Sequence, residues 1–152
     1  MLYTDDYWMN LALEQAQKAE DNGEVPVGAV IVKNNAIISV GQNSVINLND
    51  PTAHAEIVAI RDAGKKLQNY RMVNTGLYVT LEPCIMCMGA IIQARIERLV
   101  FGAADPKSGA AGSVYSIGED NLLNHSLEVE RGVMQEECSI ILKEFFKKRR
   151  KN

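Results

Sequence analysis

Four residues in two short motifs have the types and spacing of a metal centre. His54 and Glu56 flank one residue in a His-Ala-Glu motif, and Cys84 and Cys87 flank two in a Pro-Cys-Ile-Met-Cys motif. Both motifs stand where a helix is predicted to begin, so two helix N-termini can converge at one edge of a sheet. We therefore expect the four side chains to meet in one site.

The spacing of the two cysteines suits a single metal ion. Side chains three positions apart in a first helical turn share one face, so the sulfurs of Cys84 and Cys87 can bind one ion. The positive end of the helix dipole favours the thiolate form that metals require. With His54 as a third, neutral ligand, a zinc ion keeps one tetrahedral position for water, as in catalytic sites. Sulfur and nitrogen ligands of this kind fit zinc best among the common metals.

The chemistry expected of such a centre is hydrolysis. Zinc lowers the pKa of a bound water toward about 7, which makes hydroxide available at neutral pH. Glu56, two residues beyond His54, should lie near the metal without binding it. There its carboxylate can take a proton from the water and pass it to the substrate. The pattern therefore predicts zinc-activated hydroxide with Glu56 as the proton shuttle.

Two other interpretations of the cysteine pair stay open. The pair could be a redox dithiol, although Pro83 and the His-Ala-Glu motif argue against it. A closed structural zinc site would need a fourth ligand, for which Cys138 and His125 are the candidates. Cys138 falls on the apolar face of the last predicted helix and is better explained as a core residue. His125 lies in a polar stretch and is better explained as a surface residue.

The elements that must position these residues alternate between helix and strand after an opening hairpin. Helical patterns cover about 8–19, 53–66, 83–94 and 134–146, and strand patterns cover about 25–32, 37–41, 77–81, 99–101 and 127–129. The apolar strand runs imply a sheet covered on both faces. We predict an α/β fold, a three-layer α/β/α sandwich with a mixed central sheet of about five strands. Pro83 is expected in the first turn of its helix.

Length and composition favour one ordinary globular domain. The chain has 152 residues, of which 47% are hydrophobic and 23% charged, so we expect a single domain over 1–152. No run approaches the ~20 apolar residues that cross a bilayer. The acidic N-terminus is unlike a secretory signal, so we expect a cytoplasmic protein with no membrane partner. Three cysteines, an odd number, favour thiolate chemistry over a disulfide framework.

Charge is concentrated at the C-terminus. Residues 143–152 hold six basic residues and one acidic residue, on a chain whose net charge is −3. A basic end on an acidic body suggests a local contact with a polyanion, and a solvated tail is the alternative.

Several segments together resemble a known family. A His-x-Glu motif followed by Pro-Cys-x-x-Cys is the signature of the cytidine/deoxycytidylate-type zinc deaminases. Within them, the chain is most similar to the bacterial tRNA-specific adenosine deaminases, over nearly its whole length. The segments that carry this resemblance are 24–30, 50–56, 69–71, 77–84, 101–102, 107–113 and 145–150.

The resemblance implies conversion of the wobble adenosine of a tRNA anticodon to inosine. In the family's reaction, hydroxide attacks C6 of the flipped-out adenine, and ammonia leaves. By position, His54, Cys84 and Cys87 would hold one zinc ion per subunit. Glu56 would protonate N1 and then the departing amine.

The resemblance also implies substrate contacts and a homodimer. Asn43 is expected to hydrogen-bond the purine, and the N–H of Ala55 to polarise the base or orient the hydroxide. A core role for at least one of the two phenylalanines near the end of the last helix stays open. The residues expected to bind the anticodon stem-loop are Asp105, Lys107, Ser108, Phe145, Phe146 and Arg149. Aromatic rings of such a set can stack on splayed bases while basic side chains bind phosphates.

Two other functions stay open from the sequence. An enzyme of the same fold could deaminate a free base or nucleoside such as guanine, cytosine or cytidine, although such an enzyme would not need the basic, aromatic C-terminus. A non-catalytic RNA-binding subunit could keep zinc for structure alone, although such a subunit would not need Glu56.

Overall fold

The computed structural model describes residues 2–119, 125 and 127–150. Within those residues the chain forms four α-helices and five β-strands. In chain order they are α1 (Asp5–Asp21), β1 (Gly28–Lys33), β2 (Ala36–Gln42), α2 (Ala55–Leu67), β3 (Thr75–Leu81), α3 (Ile85–Gln93), β4 (Arg98–Ala103), β5 (Glu128–Arg131) and α4 (Gln135–Arg150). None of the described helices is long and apolar enough to span a membrane.

The strands form one mixed sheet in the order β2-β1-β3-β4-β5. β1 pairs antiparallel with both β2 and β3, while β3, β4 and β5 run parallel to one another. The β1–β2 hairpin therefore extends the sheet on the β3 side of the three parallel strands. The carboxyl ends of β3 and β4 lie at the same end of the sheet. This sheet confirms the predicted α/β fold.

Alternate residues of the central strands pack into two separate apolar layers. The layer on the side of α2 and α3 contains Ala29, Ile31, Leu77, Val79, Leu99 and Phe101 from the sheet. The layer on the side of α1 and α4 contains Val30, Val32, Tyr78 and Val100. Because successive side chains of a strand point to opposite faces, this alternation is what a sheet covered on both faces requires. The three layers are thus α1/α4, the sheet, and α2/α3.

Two glycines let helices lie directly on the hairpin. A Cβ atom on Gly41 would collide with the carbonyl oxygen of Ala55 and would lie 2.6 Å from the backbone nitrogen of Ala59. A Cβ on Gly28 would collide in the same way with α1, at the Ala12 oxygen and the Ala16 nitrogen. The absence of a side chain at Gly41 therefore sets how closely the start of α2 approaches β2.

Element boundaries differ from the sequence prediction at two places that matter. β1 begins at Gly28 rather than Val25, since Pro26 has no N–H to donate and the Val27 N–H donates to the Val25 oxygen at 2.8 Å. α3 begins at Ile85, with Cys84 as its N-cap, so Pro83 precedes the helix and its predicted place in the first turn was wrong. β5 is displaced by one to two residues from the predicted 127–129.

Candidate metal centre and active site

Two helix starts supply the three ligands. His54 is the N-cap of α2 and Cys84 the N-cap of α3, both with extended backbone angles, and neither side chain caps its own helix. Cys87 follows in the first turn of α3. Because neither N-cap side chain hydrogen-bonds the amides of its own helix, all three donor atoms stay available to one ion.

The distances among the donor atoms fit a tetrahedral zinc ion. Nδ1 of His54 lies 3.6 Å from Sγ of Cys84 and 3.5 Å from Sγ of Cys87. Tetrahedral zinc with ordinary Zn–S and Zn–N bonds places such a nitrogen and sulfur about 3.6 Å apart. The donor set therefore fits zinc, with Nδ1 as the histidine ligand.

Among the described residues, no fourth side chain completes this cluster. Cys138 is buried, and a Cβ on Gly102 would collide with its sulfur, so it packs in the core beside β4. Nε2 of His125 hydrogen-bonds the carbonyl oxygen of Ile96 at 2.7 Å. Neither spare candidate joins the group, and three ligands leave the open position that a catalytic site needs.

The protonation of the two cysteines favours binding of a cation between them. A hydrogen bond from the Cys87 thiol, reinforced by His54, lowers the pKa of Cys84 to about 3. The hydrogen bond to Cys84 and burial raise the pKa of Cys87. One thiolate thus forms readily and opposes the second. A divalent cation reverses that opposition, because it favours deprotonation of every thiol that coordinates it.

Glu56 lies beside the ligands without joining their cluster. It occupies the first turn of α2, is 4% exposed, and contacts Cys87. Burial raises the pKa of its carboxyl to about 7. A carboxyl with such a pKa can both accept and release a proton near neutral pH, which suits general acid–base chemistry.

Asn43 and Ala55 are hydrogen-bonded to each other. The Ala55 N–H donates to Oδ1 of Asn43 at 2.8 Å, and the Asn43 N–H donates to the Val27 oxygen at 3.1 Å. Asn43 is therefore held at the end of β2 with its side-chain NH₂ as the group left to donate to a substrate. A contact between the Ala55 N–H and the base would require this hydrogen bond to be shared, and it stays a prediction.

Two of the three residues that were expected to contact RNA from the loop after β4 have exposed side chains. Lys107 and Ser108 are exposed. The Asp105 side chain instead accepts hydrogen bonds from their backbone N–H groups, at 3.1 and 3.2 Å. Asp105 thus shapes the turn that displays Lys107 and Ser108.

The two phenylalanines near the end of α4 differ in exposure. Phe146 is 44% exposed, whereas Phe145 is 7% exposed. The guanidinium carbon of Arg149 lies 5.1 Å from the centre of the Phe145 ring and covers it. Phe145 is therefore an interior residue, the alternative that the sequence left open for at least one of the two phenylalanines, and Phe146 is the one exposed to a partner. Lys151, part of the basic end expected to contact a polyanion, lies outside the described residues.

Two buried carboxylates near the site carry no role in the sequence analysis. Glu24 accepts hydrogen bonds from the N–H groups of Ile46 and Asn47, and Glu82 accepts them from the loop after β4. The signal available in the sequence was an acidic residue inside an otherwise apolar strand region, at Glu24 before β1 and at Glu82 after β3. Each holds a loop adjacent to a ligand-bearing helix.

Comparison with known proteins gives consistent matches. The family model for the cytidine and deoxycytidylate deaminase zinc-binding region matches residues 2–103. A tRNA-specific adenosine deaminase of Haemophilus influenzae is 56% identical over 147 residues, covering 96% of this chain and 85% of that protein. A tRNA-specific adenosine deaminase of Bacillus subtilis is 44% identical, covering 97% and 91%.

Solved structures agree in fold. One, from a study of A-to-I editing by tRNA:A34 deaminases at the wobble position of transfer RNA, has a TM-score of 0.86 at 44% identity, covering 90% of this chain and 99% of that chain. A guanine deaminase from Nitrosomonas europaea has a TM-score of 0.83 at 23% identity, covering 95% and 86%. At that identity the likeness concerns the fold alone.

Proposed function

Since the chain belongs to the cytidine and deoxycytidylate deaminase family, whose shared region binds zinc, we propose that it deaminates the wobble adenosine of a tRNA anticodon to inosine. The observation that supports zinc-dependent deamination is one cluster of His54, Cys84 and Cys87 with the buried Glu56 beside it. The relatives named tRNA-specific adenosine deaminase, which match along nearly the whole chain, support tRNA as the substrate.

The proposed reaction consumes one water molecule and releases ammonia. His54, Cys84 and Cys87 would hold one zinc ion, which when bound would make a water molecule acidic enough to act as a nucleophile near neutral pH. Glu56 accepts one proton from the attacking water and donates it to N1 of the adenine. It then accepts the second proton, from the hydroxyl group that the water has left on C6, and donates it to the departing amine, so the two protons of the water end on N1 and on the released ammonia. Burial of Glu56 keeps bulk water from competing for that proton.

Chain groups around the cluster hold the flipped-out nucleotide. The NH₂ group of Asn43 donates to the purine, since its Oδ1 is already engaged by Ala55. Lys107 and Ser108 contact the RNA backbone from the turn that Asp105 shapes. At the end of α4, Phe146 stacks on a base and the basic side chains bind phosphates.

We further propose a cytoplasmic homodimer with tRNA as its nucleic-acid partner. Exposed apolar side chains in the two ligand-bearing segments support the dimer. Ile85, between the two cysteines, is 56% exposed, and Leu48, in the loop before His54, is 60% exposed. A subunit contact over these residues would bury them and enclose the site.

The test is inosine formation by purified protein on an anticodon stem-loop with a wobble adenosine, beside free adenosine, cytidine and guanine. Inosine in the RNA alone supports the proposal. Turnover of a free base or nucleoside with the RNA untouched would refute tRNA as the substrate. The protein would then be a deaminase of small molecules.

Glu56→Ala separates an enzyme from a zinc-containing RNA-binding subunit. The variant should lose turnover by about 10²-fold or more while it keeps zinc and RNA binding. Zinc content is measured by atomic absorption and RNA affinity by filter binding. Turnover at the wild-type rate would show that Glu56 does not transfer the proton.

A further inference from the structure

Glu82 connects the metal-ligand segment to the loop after β4. It is the first residue after β3 and stands two positions before Cys84, yet the residue is only 2% exposed. Oε1 accepts from the N–H of Asp105 at 3.0 Å and from the hydroxyl of Ser113. Oε2 accepts from the N–H groups of Ala111 and Ser113, at 2.9 and 3.0 Å. One carboxylate thus satisfies four donors from both ends of the loop 104–113.

Backbone hydrogen bonds tie the same two segments together. The Glu82 N–H donates to the Ala103 oxygen, and the Ala110 N–H donates to the Pro83 oxygen, both at 2.8 Å. The loop therefore rests directly on the residues that lead into Cys84. Within this loop, Lys107 and Ser108 are the exposed residues proposed to contact RNA.

Gly109 shows how closely the loop fits around the carboxylate. A Cβ at this position would collide with the carboxyl carbon and both carboxyl oxygens of Glu82. Neither an alanine at 109 nor a neutral side chain at 82 can preserve the arrangement. The space between Gly109 and the Glu82 carboxylate is therefore too small for one more carbon atom.

We propose that Glu82 is a positioning residue for the RNA substrate, one that fixes the loop 104–113 in the shape that presents Lys107 and Ser108 to the anticodon stem-loop. This inference rests on the proposed function. Glu82 touches no reacting atom in it. Its effect reaches the RNA through the loop backbone, so its loss should weaken substrate binding more than it slows the chemical step.

Glu82→Gln is the direct test. The amide replaces one oxygen by an NH₂ group, which then faces two donors and leaves them unsatisfied in the interior. We expect KM for the stem-loop to rise at least about tenfold with a smaller fall in kcat. In a plot of the logarithm of RNA affinity against the logarithm of salt concentration, the magnitude of the slope should decrease by about 1, because one phosphate contact is lost. Zinc content should stay at the wild-type value.

Gly109→Ala provides a second route to the same state. It displaces the loop from the carboxylate without changing any charge, so it should reproduce the rise in KM even if Glu82→Gln fails to fold. Asp5→Asn is the matched control, because Asp5 also makes partly buried polar contacts, with Tyr78 and Arg98, outside this loop. It should lower the unfolding temperature and leave KM unchanged.

The outcomes distinguish the two proposals. If wild-type protein forms no inosine in the RNA, the proposed function fails before Glu82 is tested. If wild type is active and Glu82→Gln and Gly109→Ala keep its KM and salt slope, Glu82 is not a positioning residue. A rise in KM for Asp5→Asn as large as theirs would also overturn the inference, because general destabilisation would then explain the effect.

Discussion

Replacing Gly41 with alanine tests whether the metal centre depends on the close approach of β2 to α2. The new methyl group would overlap the Ala55 oxygen and lie 2.6 Å from the Ala59 nitrogen and 3.0 Å from the Ala59 Cβ. These atoms are all backbone or the first side-chain carbon of α2. Since no flexible side chain can move aside, relief requires the start of the helix to move away from the sheet.

The size of that movement follows from ordinary van der Waals distances. Carbon atoms pack at about 3.5 Å or more, so α2 must shift by roughly 1 Å. Overpacking of this kind costs about 1–3 kcal/mol of folding free energy. The shift acts at Ala55, which separates His54 from Glu56, so the proposed ligand and the proposed proton shuttle are both displaced. A misplacement of about 1 Å at a reacting centre can cost about 10²-fold in rate.

The assay compares the variant with wild type in thermal unfolding, zinc content after dialysis, and inosine formation on the stem-loop. For a chain of this length, the destabilisation corresponds to a fall in Tm of roughly 3–10 °C. We expect reduced zinc retention and a kcat/KM lower by about 10²-fold. Gly64→Ala is the control on the same helix, because the nearest atoms to its Cβ are 3.7 Å away. Alanine favours helix, so this control should unfold at the same or a higher temperature.

Wild-type zinc content and kcat/KM in Gly41→Ala would refute the reasoning, since the helix would then move without disturbing its ligand. Equal loss of activity in Gly64→Ala would also refute it, because any substitution in α2 would then have the same effect.

Other perturbations follow from burial and charge. Phe145→Ala should destabilise the fold by about 3–5 kcal/mol in denaturant titrations, whereas Phe146→Ala should keep stability and weaken RNA binding; the reverse pattern would contradict their burial. Lys147→Ala should lower the salt slope of RNA binding by about 1, and an unchanged slope would place the RNA elsewhere. Although burial opposes them, hydrogen bonds from Asn47 and Ile46 hold the pKa of Glu24 below its ordinary value. Its contribution to stability is therefore present above the unfolded pKa of about 4.3 and is lost as the pH falls through the folded value. Between about pH 5 and pH 3 wild type should lose stability more steeply than Glu24→Gln, and parallel curves would contradict this.

The fold was predictable because its signals are local. The apolar runs that became β3 and β4 have the composition of buried strands, and the helical patterns around them leave only a covered sheet as a solution. The ligand cluster was also accessible, since His54 and Cys84 stand at helix starts and Cys87 follows three positions later. Residue type, spacing and element boundary all pointed to one site.

The contacts that refine the site were not accessible, because their donors are backbone amides that have no side-chain signal. Nothing in the sequence couples Asn43 to the Ala55 N–H, twelve positions away, or Glu82 to a loop more than twenty positions away. The burial of Phe145 is different. It lies seven positions after Cys138 on the apolar face of the last helix, so the sequence already offered it as a core residue, but the periodicity did not decide between Phe145 and Phe146.

The position of two ligands at helix N-caps has a consequence for the choice of metal. Histidine and cysteine have short side chains with one or two rotatable bonds, and the N-cap backbone fixes where each begins. Little conformational entropy remains to be lost when an ion binds. The nitrogen–sulfur separations, 3.5 and 3.6 Å, are already those of a tetrahedron. Ions that demand six oxygen ligands in an octahedron, such as Mg²⁺, find neither their geometry nor their donor atoms here, so a donor set fixed before binding discriminates among metals.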